Sequence, residues 1–246
     1  MLDIPTPTFE LRLMTSEPDP EESRVQFVMR QVADHIGREG LTVGDQLPSE
    51  TRFVELLSVS RPVVREAFGA LAALNIIDVG NGRRPRVSAM NGSVLASSLE
   101  HAVRTQQVSV QEVWETRQII ETQTIALAAL RRSDDEARRI TDLAAAMTRA
   151  EPGSDELMEL DLSLHKAIAN ASRNGVLSRI IASFEPMLKT TIPVAWSKVQ
   201  GDAHHAMMLE RHQELAETIR LRDPDAAKRA MDAHFDRAVG ASLPTS

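Results

Sequence analysis

The stretch LPSETRFVELLSVSRPVVREAFGALAAL, Leu47 to Leu74, decides the fold of the N-terminal part. It reads as two helices joined by a short turn. Glu50 to Leu57 is the first helix and Ser58-Val59-Ser60 is the turn, with Ser60 placed to cap the next helix. Arg61 to about Leu74 is the second helix. Its apolar residues Val64, Ala67, Phe68, Leu71 and Leu74 fall at helical spacing on one face. Arg61 and Arg65 are four apart and share another, polar face. A short helix that presents paired arginines from its first turns suits a DNA major groove, where the planar guanidinium fork pairs with guanine acceptors or phosphate. The same pattern also fits an ordinary helical hairpin with solvated arginines.

Outward from this stretch, Val25 to about Gly40 has Val28, Val32 and Ile36 on one side and reads as a helix. The loop Gly40-Leu41 and Gly44-Asp45 follows it. On the other flank, Ile76-Ile77-Asp78-Val79 and Arg86-Val87-Ser88 enclose the turn Gly80-Asn81-Gly82-Arg83-Arg84-Pro85, which predicts a two-stranded hairpin. Three arginines within four residues of its tip suit phosphate contact. A plain surface hairpin would leave them in water.

Gly44-Asp45-Gln46-Leu47-Pro48-Ser49-Glu50, followed by Val59-Ser60-Arg61-Pro62-Val63-Val64-Arg65-Glu66-Ala67, resembles the winged helix-turn-helix of the GntR family of bacterial transcription regulators. The likeness runs from about Val25 to Val87. It implies that the hairpin is a wing whose tip, at Gly82, enters the minor groove. It also implies DNA contacts at Ser60, Arg61, Arg65, Asn81, Gly82 and Arg83. One position departs from the pattern. Many relatives carry arginine directly after the motif glutamate, whereas here Thr51 stands there and Arg52 follows. On a helix this turns the cation by about 100°. Arg52 is therefore a candidate for phosphate contact, and the operator is free to differ from the commoner short palindromes of the family.

A chain of 246 residues accommodates two domains, and its net charge of −7 is unevenly spread. Residues 1–23 carry a net −5, residues 24–90 a net +2 and residues 91–246 a net −4. Only the segment expected to meet DNA is net positive. An acidic remainder weakens non-specific DNA binding without preventing specific binding. There is no cysteine, so disulfides and thiolate metal sites are excluded. No apolar run spans a membrane and no secretory signal opens the chain, so a cytoplasmic location is expected.

Residues 1–22, with Pro5, Pro7, Pro18 and Pro20 among acids and threonines, read as a flexible leader. The DNA-binding domain is expected over 23–90. A linker at Asn91-Gly92-Ser93 and a first helix near Val94–Thr105 occupy 91–108, and a helical domain fills 109–241. Ser109-Val110-Gln111-Glu112 and Ser133-Asp134-Asp135-Glu136 have the capping-box form and open helices to about Arg131 and Ala150. Glu156–Ala171, Gly175–Thr191 and Ala203–Leu221 come next, with Pro193 to Gly201 irregular. Asp223-Pro224 opens the last helix, which ends near Val239. The fold class is mostly α: a winged helix-turn-helix with a small β wing, then an all-α bundle of about seven helices.

Asp161 and His165 lie four apart on one helix, and His212 and His234 each lie on another. Three imidazoles and one carboxylate from three helices can surround a borderline divalent ion such as zinc, with nickel or manganese as alternatives. His204 and His205 compete for the role by spacing, whereas His35 and His101 read as solvent-facing. Arg117 and Glu121, then Asp161, His165, the run Asn170-Ala171-Ser172-Arg173-Asn174, His212 and His234, resemble the FCD effector domain of the FadR subfamily of GntR regulators. The likeness covers about Val110 to Val239. It implies that Asp161, His165, His212 and His234 are the metal ligands and leaves His204 and His205 outside. Open coordination positions suit a small carboxylate effector. Arg117 can pair with that carboxylate bidentately or with Glu121 one turn on, and Asn174 can add a hydrogen bond.

The function expected is a metabolite-responsive transcription regulator, a repressor, that binds a palindromic operator in double-stranded DNA as a homodimer. A small organic or sugar acid at the metal site would control it. Two alternatives stay open at this level. One is a metal-dependent hydrolase-like enzyme, since such a site can activate water. The other is a metal-free regulator that responds to acyl-CoA.

Overall fold

Ser23 opens the first helix through both halves of a capping box with Gln26. The computed structural model describes residues 21–80, 82–198 and 202–240, without the side chains of 193–198, 202, 204 and 236–240. Most of the expected leader lies outside the described residues. The chain divides into two compact units, Met1–Met90 and Asn91–Ser246.

The first unit holds α1 (Arg24–Arg38), α2 (Glu50–Leu57), α3 (Arg61–Ala73), β1 (Ile77–Asp78) and β2 (Arg86–Val87). Ser49 caps α2 by accepting from the Arg52 amide, and Ser58 ends it in the left-handed region at φ 52°. That turn sets α3 against α2. Val28, Val32, Leu47, Phe53, Val64, Ala67, Phe68, Leu71 and Ile77 form a shared core. Phe53 and Phe68 meet edge to face at 5.5 Å at its centre. Truncating a fully buried phenylalanine of this kind costs about 3–5 kcal/mol. β1 and β2 pair antiparallel, Ile77 with Val87 and Asp78 with Arg86. The segment before α2 adds to them: the Gly44 amide donates to Val87, Val87 donates to Asp45, and Leu47 donates to Pro85. The Gly-Asp-Gln-Leu motif thus ties the wing to the helices.

Three expectations in this unit are corrected. Leu74 is not a core residue. It is the C-cap of α3 and is 47% exposed, because the helix ends before this fifth apolar position can turn inward. Ser60 occupies the N-cap position of α3, but its hydroxyl makes no capping hydrogen bond. His35 is 1% exposed rather than solvent-facing. It lies seven residues after Val28 and three after Val32, on the stripe that α1 turns toward the core.

The second unit holds α4 (Ser93–Arg104), α5 (Val110–Arg131), α6 (Asp134–Met147), α7 (Asp155–Ala171), α8 (Gly175–Ser183), α9 (Glu185–Lys198), α10 (Asp202–Arg220) and α11 (Pro224–Gly240). Both predicted capping boxes form, Ser109 with Glu112 and Ser133 with Glu136. Asp223 caps α11 through the Asp225 and Ala226 amides. α5 lies against α7, α10 and α11 around one core that includes Ile125, Ile140, Met147, Leu164, Leu215, Ile219, Met231 and Phe235.

Among the described residues this unit has eight helices where about seven were expected. The single helix predicted over Gly175–Thr191 is two, broken at Phe184. Pro186 lacks the amide that would continue the first helix and fits the opening turn of the second. The chain expected to be irregular from Pro193 is helical through Lys198. Residues 199–201 lie outside the described residues. Gly92 is packed rather than a loose link, since a Cβ there would stand 2.7 Å from the Arg179 carbonyl oxygen.

Candidate functional site: a buried histidine cluster and an arginine-bearing helix

The histidine cluster is assembled by three helices of the second unit. α7 presents Asp161 and His165 one turn apart, α10 presents His212 and α11 presents His234. Ligand atoms of His165, His212 and His234 all lie within 4.8 Å of one another. The ring centroids are 5.9 Å apart for His165 and His212, 5.1 Å for His165 and His234, and 4.7 Å for His212 and His234. Asp161 Oδ1 is 2.8 Å from His212 Nε2 and 4.0 Å from His165 Nε2. His165 and His212 are buried, and His234 is half-buried. His205 stays outside this group among the described residues, and the side chain of His204 is not described.

Hydrogen bonding decides which nitrogen each ring offers. His212 Nδ1 is 2.8 Å from the Met208 carbonyl oxygen, one turn back on α10. A carbonyl only accepts, so Nδ1 carries the proton and Nε2 of the neutral ring is bare. His165 Nδ1 meets the Glu121 carboxylate in the same manner, which leaves its Nε2 bare as well. The bare His212 Nε2 is buried and faces the Asp161 carboxylate at 2.8 Å. Two electron-pair acceptors at that distance repel. A proton or a cation must stand between them. Neutral imidazoles and one carboxylate, all turned inward, are the donor set that a divalent ion such as zinc takes. The residues fit such an ion.

The groups of the cluster also act on one another's charge. Burial would push the Asp161 carboxyl up, but the His212 ring against it and the neighbouring His165 and His234 rings hold it well below the usual carboxylate range. Burial would lower His165, yet Glu121 and Asp161 raise it above an ordinary histidine. His234 is pushed well below its ordinary value, by burial first and then by the neighbouring imidazoles.

Arg117 and Glu121 lie one turn apart on α5, beside this cluster. Arg117 Nε donates to Glu121 Oε1 at 2.8 Å, and both side chains are 2–3% exposed. The guanidinium carbon sits 4.8 Å from the centre of the Trp114 ring and 5.3 Å from that of Phe235. Of the two partners weighed for Arg117, Glu121 is the one the structure places against it. Asn174 accepts from the Val176 and Leu177 amides as the N-cap of α8, so its side-chain oxygen serves that helix. The tie between Glu121 and His165 was not predicted. It joins residues 44 apart in sequence, and no local spacing announces it.

In the first unit, α3 carries the predicted DNA-facing residues on its exposed side. Ser60, Arg61 and Arg65 are all exposed. Arg65 Nε lies 4.0 Å from Glu50 of α2. Pro62 stands in the first turn of α3. With the Ser60 hydroxyl not engaged in the cap, the α3 N-terminus presents a hydroxyl, backbone amides and two cations together. Arg52 pairs with Glu55 at 3.2 Å on the exposed side of α2. At the wing, Gly82 adopts φ +73° and Arg83 pairs with Asp78 at 2.7 Å. Asn81 lies outside the described residues.

Comparison with known proteins gives the same division. Residues 24–87 match the bacterial regulatory proteins of the gntR family, and residues 112–237 match the FCD domain. The chain is 24% identical to the HTH-type transcriptional repressor NanR of Cronobacter sakazakii over 214 residues, which cover 86% of this chain and 82% of the relative. It is likewise 24% identical to NanR of Salmonella schwarzengrund over 234 residues, covering 94% and 89%. The solved structure of Streptococcus agalactiae GntR shares the fold with a TM-score of 0.64 at 23% identity, covering 88% of this chain and 99% of that one. The curated relatives are regulators, not enzymes. Among the described residues, no helix is long and apolar enough to cross a membrane.

Proposed function

Because the chain belongs to the gntR family of bacterial regulatory proteins, with a DNA-binding unit followed by an FCD domain, we propose that it is a metal-dependent repressor released by a small carboxylic acid. Asp161, His165, His212 and His234 hold a divalent ion, zinc before nickel or manganese. The observation that carries this reading is the bare, buried His212 Nε2 set 2.8 Å from Asp161. That pair needs a proton or a cation between its two acceptors, and a divalent ion among the three rings supplies one. The same observation weighs against a metal-free acyl-CoA site.

When bound, the ion supplies open coordination positions that a carboxylate oxygen can fill. The chain's own residues do the rest. His165, His212 and His234 orient the site, Asp161 supplies its negative charge, and Trp114 and Phe235 border it with apolar surface. Arg117, held by Glu121, adds positive charge that favours an anion. Any part for Asn174 falls to its amide group, since its oxygen caps α8.

At the other unit, Arg61 and Arg65 read base edges from the major groove. Ser60 and Arg52 contact phosphates, and the wing, through Asn81, Gly82 and Arg83, reaches the minor groove. A homodimer presents two such helices to a palindromic operator. The relatives' names as repressors support repression as the sense of control. An acid that binds the DNA-incompetent state more tightly shifts the population off the operator, by no more than its differential affinity.

A thermal-shift screen of small hydroxy, sugar and dicarboxylic acids, run with and without chelator, tests this. An effector at a hundred times its Kd should add about 2.7 kcal/mol of apparent stability, and chelator should abolish the gain. Stabilisation by an acid that survives complete metal removal would refute the metal-dependent reading.

A further inference from the structure

Glu121 sits at a junction that the metal ligands alone do not explain. Its carboxylate is 2–3% exposed and has two neighbours, one for each oxygen. Oε1 accepts from Arg117 Nε at 2.8 Å, and Oε2 meets His165 Nδ1. His165 is the only one of the three clustered histidines that has a carboxylate at Nδ1 among the described contacts; His212 has the Met208 carbonyl there. Imidazole has two neutral forms, and only the one with the proton on Nδ1 turns a lone pair toward Asp161 and the other rings. A fixed acceptor at Nδ1 selects that form, holds the ring plane and makes Nε2 a better donor. The acceptor must itself be held. Arg117 does this, and its guanidinium is in turn sandwiched near Trp114 and Phe235.

We propose that Glu121 is a positioning residue for the metal site: braced by Arg117, it accepts the Nδ1 proton of His165 and so commits Nε2 of that ring to the ion. This rests on the reading of the histidine cluster as a metal site. Arg117 and Glu121 then act together to brace one ligand of the ion.

Removing Glu121 alone would leave the Arg117 charge buried without a partner and threaten the fold. Two double variants avoid that, Arg117→Met with Glu121→Gln and Arg117→Met with Glu121→Leu. Neither leaves a buried charge. Glutamine can still turn its oxygen to His165 Nδ1, whereas leucine offers no acceptor. Zinc affinity is measured by competition with a chromogenic chelator for the full chain and both variants. The expected result is that the leucine variant binds zinc roughly 10- to 100-fold more weakly than the glutamine variant. Equal zinc affinity in the two variants overturns the role of Glu121 and leaves the metal site standing. Failure of the unmodified chain to bind zinc refutes the site itself. A measurement on the unmodified protein needs no variant. In nitrogen-15 spectra of the zinc-loaded chain, His165 should carry an exchange-protected proton on Nδ1. A proton on Nε2 instead would contradict the proposal whatever the variants do.

Discussion

Each unit of this protein buries histidine, and the two do so in opposite ways. In the DNA-binding unit, His35 is 1% exposed, stands edge-on to Phe53 at 6.0 Å, and has neither ring nitrogen hydrogen-bonded. In the effector unit, His165 and His212 each have an acceptor at Nδ1 and turn Nε2 toward Asp161. Burial alone therefore does not set the two kinds of histidine apart. What does is a second partner that fixes the tautomer and leaves the other nitrogen aimed at a shared point. His35 fills space on an apolar stripe. The cluster turns its buried polar groups toward one point suited to a cation.

The sharpest way to break this contrast is to remove ligands. His165→Ala with His212→Ala should weaken zinc binding by more than the roughly 100-fold that loss of a supporting partner costs. His35→Leu should leave zinc affinity unchanged. Titration with chelator competition checks both.

Next in size is the reading helix. Arg65→Ala should weaken operator binding by about 1–3 kcal/mol, while acid and zinc binding stay intact. Gel retardation on the operator checks it, and unchanged affinity would remove Arg65 from the reading surface.

A third prediction exploits pH. Burial, the largest influence, lowers the pKa of His35 below its ordinary value, with Arg38 adding to this and Glu39 opposing it. The unfolded chain then binds a proton that the folded unit rejects. Stability from this group is complete above the ordinary histidine value of about 6.5 and falls as pH drops below it, by at most about 1.4 kcal/mol per pH unit. Hydrogen exchange of α1 and α3, corrected for intrinsic rates, should show the loss at pH 5.5. His35→Leu should flatten it. The smallest effect belongs to the wing. Arg83→Ala should reduce operator affinity modestly and lower the salt slope by about one, since Arg83 already has Asp78 as a partner.

The fold was legible where local chemistry dictates it. Both capping boxes, the turn at Ser58, the hairpin around Gly82 and the Asp223 cap follow from short patterns that act within one helical turn. The break at Phe184 was less visible, because two helices in line keep nearly one periodicity and only Pro186 signals the joint. His35 reads as solvent-facing because histidine is itself polar and follows Asp34, while its place on the stripe depends on positions three and seven back. The candidate site was legible as a set of residues that come together. Spacing brought Asp161 and His165 to one face and set His212 and His234 on two further helices, and the resemblance to FCD domains left His204 and His205 aside. The support behind them was not. Glu121 reaches His165 across two helices, and only packing brings them together.

The most direct test of the central claim is the metal content of the purified chain after zinc loading and desalting, measured beside the His165→Ala, His212→Ala double variant. About one zinc per chain is expected in the unmodified protein and a trace in the variant. Equal content in the two, at any stoichiometry, would contradict it.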